Sequence, residues 1–173
     1  MDPSTVIRPD QGVRADIPAL SLTQPWASLV AHGLKKVETR SWRTYYTGPL
    51  AIHAAKGFPA YAREMLAYGH FARALYAAGH TIGRDPTRRG SMEITHDLPL
   101  GAIVATCRLV RCLRTEDIEP DLSPRELAFG DYEPGRWAWV LADVVRLPEP
   151  IPAVGHLGLW EWTMPEGLAT DGD

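Results

Sequence analysis

The sequence predicts an α+β fold: a small β-barrel of five or six strands carrying two main helices. Three observations carry this expectation. Short apolar segments, several alternating polar and apolar residues, recur between Gly and Pro turns, as strands do. Two other segments place their apolar residues at helical spacing. And 173 residues with 45% hydrophobic and 23% charged content suffice for one domain with a complete core.

The elements follow in order. Residues 1–17 have prolines and acids without apolar period and are expected to be a flexible tail. Ala19 to Leu22 predicts a first strand. Thr23 is placed to cap a helix with Pro25 in its first turn, ending at Gly33. A polar strand over residues 35–42 follows, then the turn Thr47-Gly48-Pro49 and a strongly apolar strand, Leu50 to Ala55. Pro59 opens a long helix to about Ala78. Its residues Tyr61, Met65, Tyr68, Ala72 and Leu75 fall on one face and predict a core stripe. Gly79 to Asp97 reads as a long mobile loop. Ala102 to Leu113 is a strand, Ser123 caps a single helical turn, and Trp137 to Arg146 is an alternating strand. Pro148, Pro150 and Pro152 make an extended edge, and Leu159 to Thr163 a last strand. The domain is expected to span 18–163, followed by a flexible C-terminal tail, 164–173.

Composition narrows the function. No apolar run has the length of a membrane span, and no signal peptide opens the chain, so a cytoplasmic protein without a membrane partner is expected. Cys107 and Cys112, five apart on one strand, face opposite sides and should not pair; buried thiols are the simple reading. Histidine and cysteine spacings give no metal site, and no glycine loop of the phosphate-cradling kind appears, so no cofactor is expected. A net charge of −3 argues against bulk polyelectrolyte binding, but the charge is uneven. Between Gly33 and Arg63 six cations face Glu38 alone, an excess of +5. Between Glu116 and Glu133 seven acids face Arg125 alone; a solvated surface is the simplest account of that stretch.

The polar strand holds the candidate chemistry. Alternation puts Lys36, Glu38, Arg40 and Trp42 on one face, and Lys35, Val37 and Thr39 on the other. A cation, a carboxylate, a guanidinium and an indole on one face suit a solvated edge or the wall of a polar cleft for a planar, anionic ligand. Lys35 and Glu38 could form an acid–base pair only if a bend or bulge between Gly33 and Lys36 brings them together. Trp26 and Trp42 flank this stretch and are the best placed of six tryptophans to stack on a base. Gln24 could read a base edge or cap the helix. His53 and Lys56 end the apolar strand. His53 is either a satisfied interior residue or part of the cleft, and Lys56 suits a phosphate.

The chain also resembles the ASCH (activating signal cointegrator homology) domain family of the PUA-like superfamily. The resemblance rests on Ser21-Leu22-Thr23-Gln24-Pro25-Trp26-Ala27, then Gly33-x-Lys35-x-x-Glu38-x-Arg40-x-Trp42, then Gly48-x-Leu50-x-Ile52-His53-x-x-Lys56. Leu98 to Val104, Gly135 to Trp139 and Gly155 to Trp160 resemble family strands as well, so it covers roughly residues 18–163. It implies a PUA-like barrel whose cleft accepts RNA, DNA or a modified nucleotide.

Three functions follow. The first is a module binding single-stranded nucleic acid or a modified nucleotide, with Gln24, Trp26, Lys35, Glu38, Arg40, Trp42, His53 and Lys56 around the site. The second is a hydrolase, because the family includes amidohydrolases of acylated cytidine and attributed ribonucleases, with Lys35 and Glu38 as catalytic candidates. The amidohydrolase pattern has a threonine three residues after the lysine; here that position is Glu38, with Thr39 adjacent. The third is a coregulator-type module with a protein partner on the acidic stretch 116–133.

Overall fold

A computed structural model describes residues 16–84, 94–166 and 168. Among them the chain forms a six-stranded mixed sheet, a separate two-stranded ribbon and five short α-helices, an α+β architecture. The strands of the large sheet are β1 (Asp16–Leu22), β2 (Val37–Arg40), β3 (Gly48–Ala54), β6 (Ala102–Arg114), β7 (Trp137–Pro152) and β8 (Leu159–Thr163). Their order is β2-β7-β6-β3-β1-β8. Only β1 and β3 pair in parallel. The α+β expectation holds and the sheet is compatible with the barrel-like PUA fold, although β2 and β8 stand at opposite edges and do not pair with each other.

The two longest strands, β6 and β7, run past the buried core into exposed stretches. β6 and β7 pair along most of their length with three register irregularities, which bend the ribbon and let it curl around the core. The predicted proline edge is the distal end of β7: Ile151 and Pro152 pair with β6, while β2 pairs only with residues 137–140. β1 starts at Asp16, ahead of the expected Ala19, because its first residues pair with β8.

Helix α1 (Trp26–Ala31) packs on β3, β6 and β7. Beneath it, Leu20, Leu22, Leu50, Ile52, Val104, Leu109 and Trp139 form the main core. The opposite face of the sheet buries Ile17, Ala19, Ala51, Ile103, Leu147 and Trp162. No side chain caps α1 at its N-cap position, Pro25. Instead Gln24, one residue earlier, accepts the Ser28 N–H through its Oε1 at 3.1 Å. Gly33, at φ 66°, ends the helix in the left-handed conformation that a residue without Cβ adopts most readily.

The predicted long helix is broken. It divides into α2 (Ala60–Glu64), a 3-10 turn (Met65–Ala67) and α3 (Gly69–Ala77), with Tyr68 extended between them. The break shifts the helical phase. Ala62, Leu66, Phe71 and Leu75 become the buried positions, while Tyr61 and Tyr68 are 60% and 55% exposed. The predicted loop from Gly79 to Asp97 is also corrected at its ends, where β4 (Ile82–Arg84) and β5 (Ile94–His96) pair as a ribbon. Its centre, 85–93, lies outside the described residues.

The acidic stretch forms α4 (Thr115–Ile118), a 3-10 turn and α5 (Pro124–Ala128), with Ser123 Oγ accepting the Glu126 N–H. Cys107 is buried, its thiol pushed up to about 12 by desolvation; Cys112 is half-buried, and both are free.

Candidate functional site

The site is built on an edge strand. β2 has a partner on one side only, and an open edge invites foreign pairing unless it is covered. Here the cover is the stretch that charge alone marked as solvated. Glu126 turns inward and accepts the N–H groups of Lys36 at 2.9 Å and Val37 at 3.1 Å. Asp131 N–H donates to Thr39 Oγ1 at 3.2 Å, and Arg136 lies 3.5 Å from the Thr39 carbonyl. Segment 126–136 thus clamps the edge of β2, and most other acids of the stretch stay exposed.

Between this clamp, α1 and the α2–α3 break lies a cleft of about 510 Å³. Glu38, Thr39 and Arg40 of β2 line it beside Arg136 and Asp131. Trp26, Phe71 and Phe129 supply apolar surface, and Tyr61, Met65 and Tyr68 the outer wall. The helix break is what turns two tyrosines from an expected core stripe into cleft wall. The size and mixed lining suit a ligand with a planar apolar body and a polar edge.

The sequence candidates separate. Glu38 and Arg40 face the cleft, with Arg40 Nη1 3.5 Å from Glu38 Oε1. Trp26 lines it too, its indole N–H donating to the Phe129 carbonyl at 2.8 Å and its ring edge-on to Phe71. Lys35 lies behind the wall, 1% exposed. Because β2 starts only at Val37, strand alternation does not reach Lys35. The preceding turn, in which the N–H groups of Leu34 and Lys35 both donate to Leu29 O, brings it inward instead. Its ammonium donates to the Val37 carbonyl and sits 3.7 Å from Glu126 Oε1. Burial pushes Lys35 down and Glu38 up, each opposed by the other's charge. Burial thus disfavours the charge on both groups, and their mutual attraction, with Arg40 and Arg136 beside Glu38, works the other way.

The other candidates lie elsewhere. Gln24 is fully buried, and its amide is committed to Ser28 N–H and the Pro99 carbonyl. Trp42 is half-buried and packs edge-on against the core residue Trp139, with ring centroids 4.6 Å apart. His53 turns to the opposite side of the sheet. Its Nε2–H donates to the Ala153 carbonyl, so its Nδ1 accepts the Ser21 hydroxyl, each at 3.1 Å. Burial keeps its pKa low. Lys56 follows β3, three strands across from β2, beside Gly101. The expected convergence of Lys56 with Lys35, Glu38 and Arg40 is corrected accordingly.

Sequence reasoning missed the clamp and the tyrosine wall. Arg136 could have been found, since it sits in the Gly135-Arg136-Trp137 segment that already resembled the family. Glu126 could not, because nothing local separates an inward carboxylate from its solvated neighbours. Among the described residues no group of three or more His, Cys, Asp or Glu side chains could hold a metal ion, and no helix is long and apolar enough to cross a membrane.

An open curled sheet with a covered edge strand and a polar, aromatic-walled cleft defines a PUA-like α+β domain. Residues 20–150 match the model of the ASCH domain, and the chain belongs to that family. The chain is similar to Activating signal cointegrator 1 of Homo sapiens, 34% identical over 109 residues, which is 60% of this chain and 16% of that protein. It is likewise 33% identical over 109 residues to the Mus musculus protein, with the same coverage. The chain thus matches only 16% of the length of these relatives.

Proposed function

We propose that the cleft binds one nucleotide of a single-stranded nucleic acid, or a modified nucleotide. Membership of the ASCH family, with its PUA-like fold, supports nucleic-acid binding in general. The observation that carries the finer reading is the lining itself: Tyr61, Tyr68 and Trp26 offer stacking surface, and Glu38 stands near Arg40 and Arg136 as a polar end. A carboxyl can hydrogen-bond a base edge, and guanidinium groups suit phosphate.

The hydrolase alternative has less support, because the Lys35 ammonium is committed to Val37 O and Glu126 and is buried. A protein partner of the coregulator type on stretch 116–133 remains the other proposal; Glu116, Asp117, Glu119 and Asp121 are exposed there.

Titration of labelled RNA and DNA oligomers at two salt concentrations tests the cleft. Binding should be weak and salt-dependent, with a shallow slope on the order of two or three counterions. Arg40→Ala should weaken it for every sequence, and Tyr68→Ala should cost about 1–3 kcal/mol of stacking. Absence of wild-type binding at low salt, or wild-type affinity in both variants, would refute the proposal.

A further inference from the structure

Outside the cleft, at the start of β7, two guanidinium groups and two aromatic rings interleave. Arg43 Cζ stands 4.4 Å from the Tyr45 ring centroid and 5.0 Å from that of Trp137. Arg114 Cζ stands 4.3 Å from the Trp137 centroid on β7's other neighbour. The sheet register explains the assembly. Arg40 of β2 and Arg114 of β6 both pair with Trp137, so the three lie side by side across neighbouring strands. Arg43 then reaches over from the loop after β2. Tyr45 is 83% exposed, and both Arg43 and Arg114 are exposed.

This ladder is continuous with the cleft. Arg40 lines the cleft and pairs with Trp137; Arg136 lines it and precedes Trp137 in the chain. The carboxylates nearby have other partners, although Glu116 also acts on Arg114, whose Nη1 donates to the Gly135 carbonyl at 3.3 Å. Glu38 pairs with Arg40, Asp131 lies 3.2 Å from Arg136, and Glu116 accepts the Gly135 N–H. Arg43 has no carboxylate partner among the described residues; its contacts are the two rings and the Tyr45 hydroxyl at 3.5 Å. An exposed tyrosine face beside positive charge is a poor packing feature but a good platform for a polyanion with stackable bases.

We infer that the Tyr45–Arg43–Trp137–Arg114 ladder is a second binding site, which carries the nucleotides flanking the one held in the cleft: phosphates on Arg43 and Arg114, a base on Tyr45. This rests on the nucleic-acid reading of the cleft and extends it from a single nucleotide to a strand. Guanidinium groups held against rings are already oriented, so less side-chain freedom is lost when a phosphate arrives. The acidic stretch lies next to the ladder and works against an acidic protein chain as well as a strand. Stackable bases therefore decide between those two occupants.

The test compares a mononucleotide with a single-stranded hexanucleotide on the wild-type chain, on Arg43→Gln/Arg114→Gln, on Tyr45→Ala and on Arg40→Ala. The hexamer should bind more tightly than the mononucleotide. The double variant should lose that advantage, keep mononucleotide affinity, and lower the salt slope by about 0.7 for each lost phosphate. Tyr45→Ala should weaken the hexamer alone. If the ladder variants bind the hexamer as wild type does while Arg40→Ala fails, the ladder is overturned and the cleft stands. If Arg40→Ala also binds as wild type does, the cleft reading falls with it. If polyglutamate of equal charge displaces the hexamer as well as unlabelled hexamer does, the surface is one for acidic proteins and the inference is overturned.

Discussion

Replacing Glu126 with alanine should destabilise the protein by about 3 kcal/mol, more than any other single change on its acidic stretch. The carboxylate accepts two backbone N–H groups, from Lys36 at 2.9 Å and Val37 at 3.1 Å. It also lies 3.7 Å from the ammonium of Lys35, which is 1% exposed. Removing one partner of a buried ion pair costs about 3–5 kcal/mol, and a stranded buried donor about 1–3 kcal/mol. Two features select the low end. Glu38 remains as a second counter-charge near Lys35, and truncation lets water reach the freed N–H groups. Urea unfolding followed by tryptophan fluorescence measures the effect as a lower midpoint at unchanged slope. Lys35→Met in the Glu126→Ala background should restore part of the loss, because the buried charge is then gone. A Glu126→Ala protein within about 0.5 kcal/mol of wild type, as for an ordinary surface change, would refute the inward clamp. Strict additivity with Lys35→Met would refute the pairing.

Two further outcomes follow. His32 Nε2 lies 2.9 Å from His80 Nε2, and burial first, then the charges of His80 and Arg146, lower the His32 pKa below 6.5. The folded state then binds fewer protons than the unfolded one, so stability present above pH 6.5 is lost as pH falls through the lowered value. His32→Gln should flatten that loss in unfolding curves taken across this range, and an unchanged pH profile would count against it. Gly130→Ala would place a Cβ 2.6 Å from Tyr132 Cε2 and 3.3 Å from Lys35 Nζ. It should cost about 1–3 kcal/mol by overpacking, and a thermal midpoint equal to wild type would show that the clamp has room.

How much was legible depended on the range of the signal. Strands β3, β6 and β8 were readable because apolar composition and turn residues are local. The α1 stop was readable because Gly33 needs its left-handed backbone. The long helix failed because a helical stripe persists in sequence across a break: Tyr68 is extended, and the residues after it restart out of phase. That β2 and β8 stay unpaired at opposite edges was not legible, because the pairing of distant strands leaves no local mark. At the candidate cleft, Glu38 and Arg40 share a face of β2 as alternation expects, although Thr39 lines the cleft beside them. Lys35 did not, since it sits in the turn before that strand. For Gln24 and His53 the structure takes the alternative the sequence had left open, a helix cap and a satisfied interior residue; that choice, like the packing of Trp42, rests on partners far along the chain, Pro99, Ala153 and Trp139.

The central claim is that a nucleotide occupies the cleft bounded by β2, α1 and the helix break. The indole N–H resonances test it most directly, because the six tryptophans are distributed over distinct regions of the fold. Trp26 lines the cleft, whereas Trp160 and Trp162 belong to β8 at the far edge of the sheet. Titration with a single-stranded oligonucleotide should move the Trp26 indole signal progressively and leave those of Trp160 and Trp162 in place. Movement of the β8 pair with Trp26 unchanged would contradict the account.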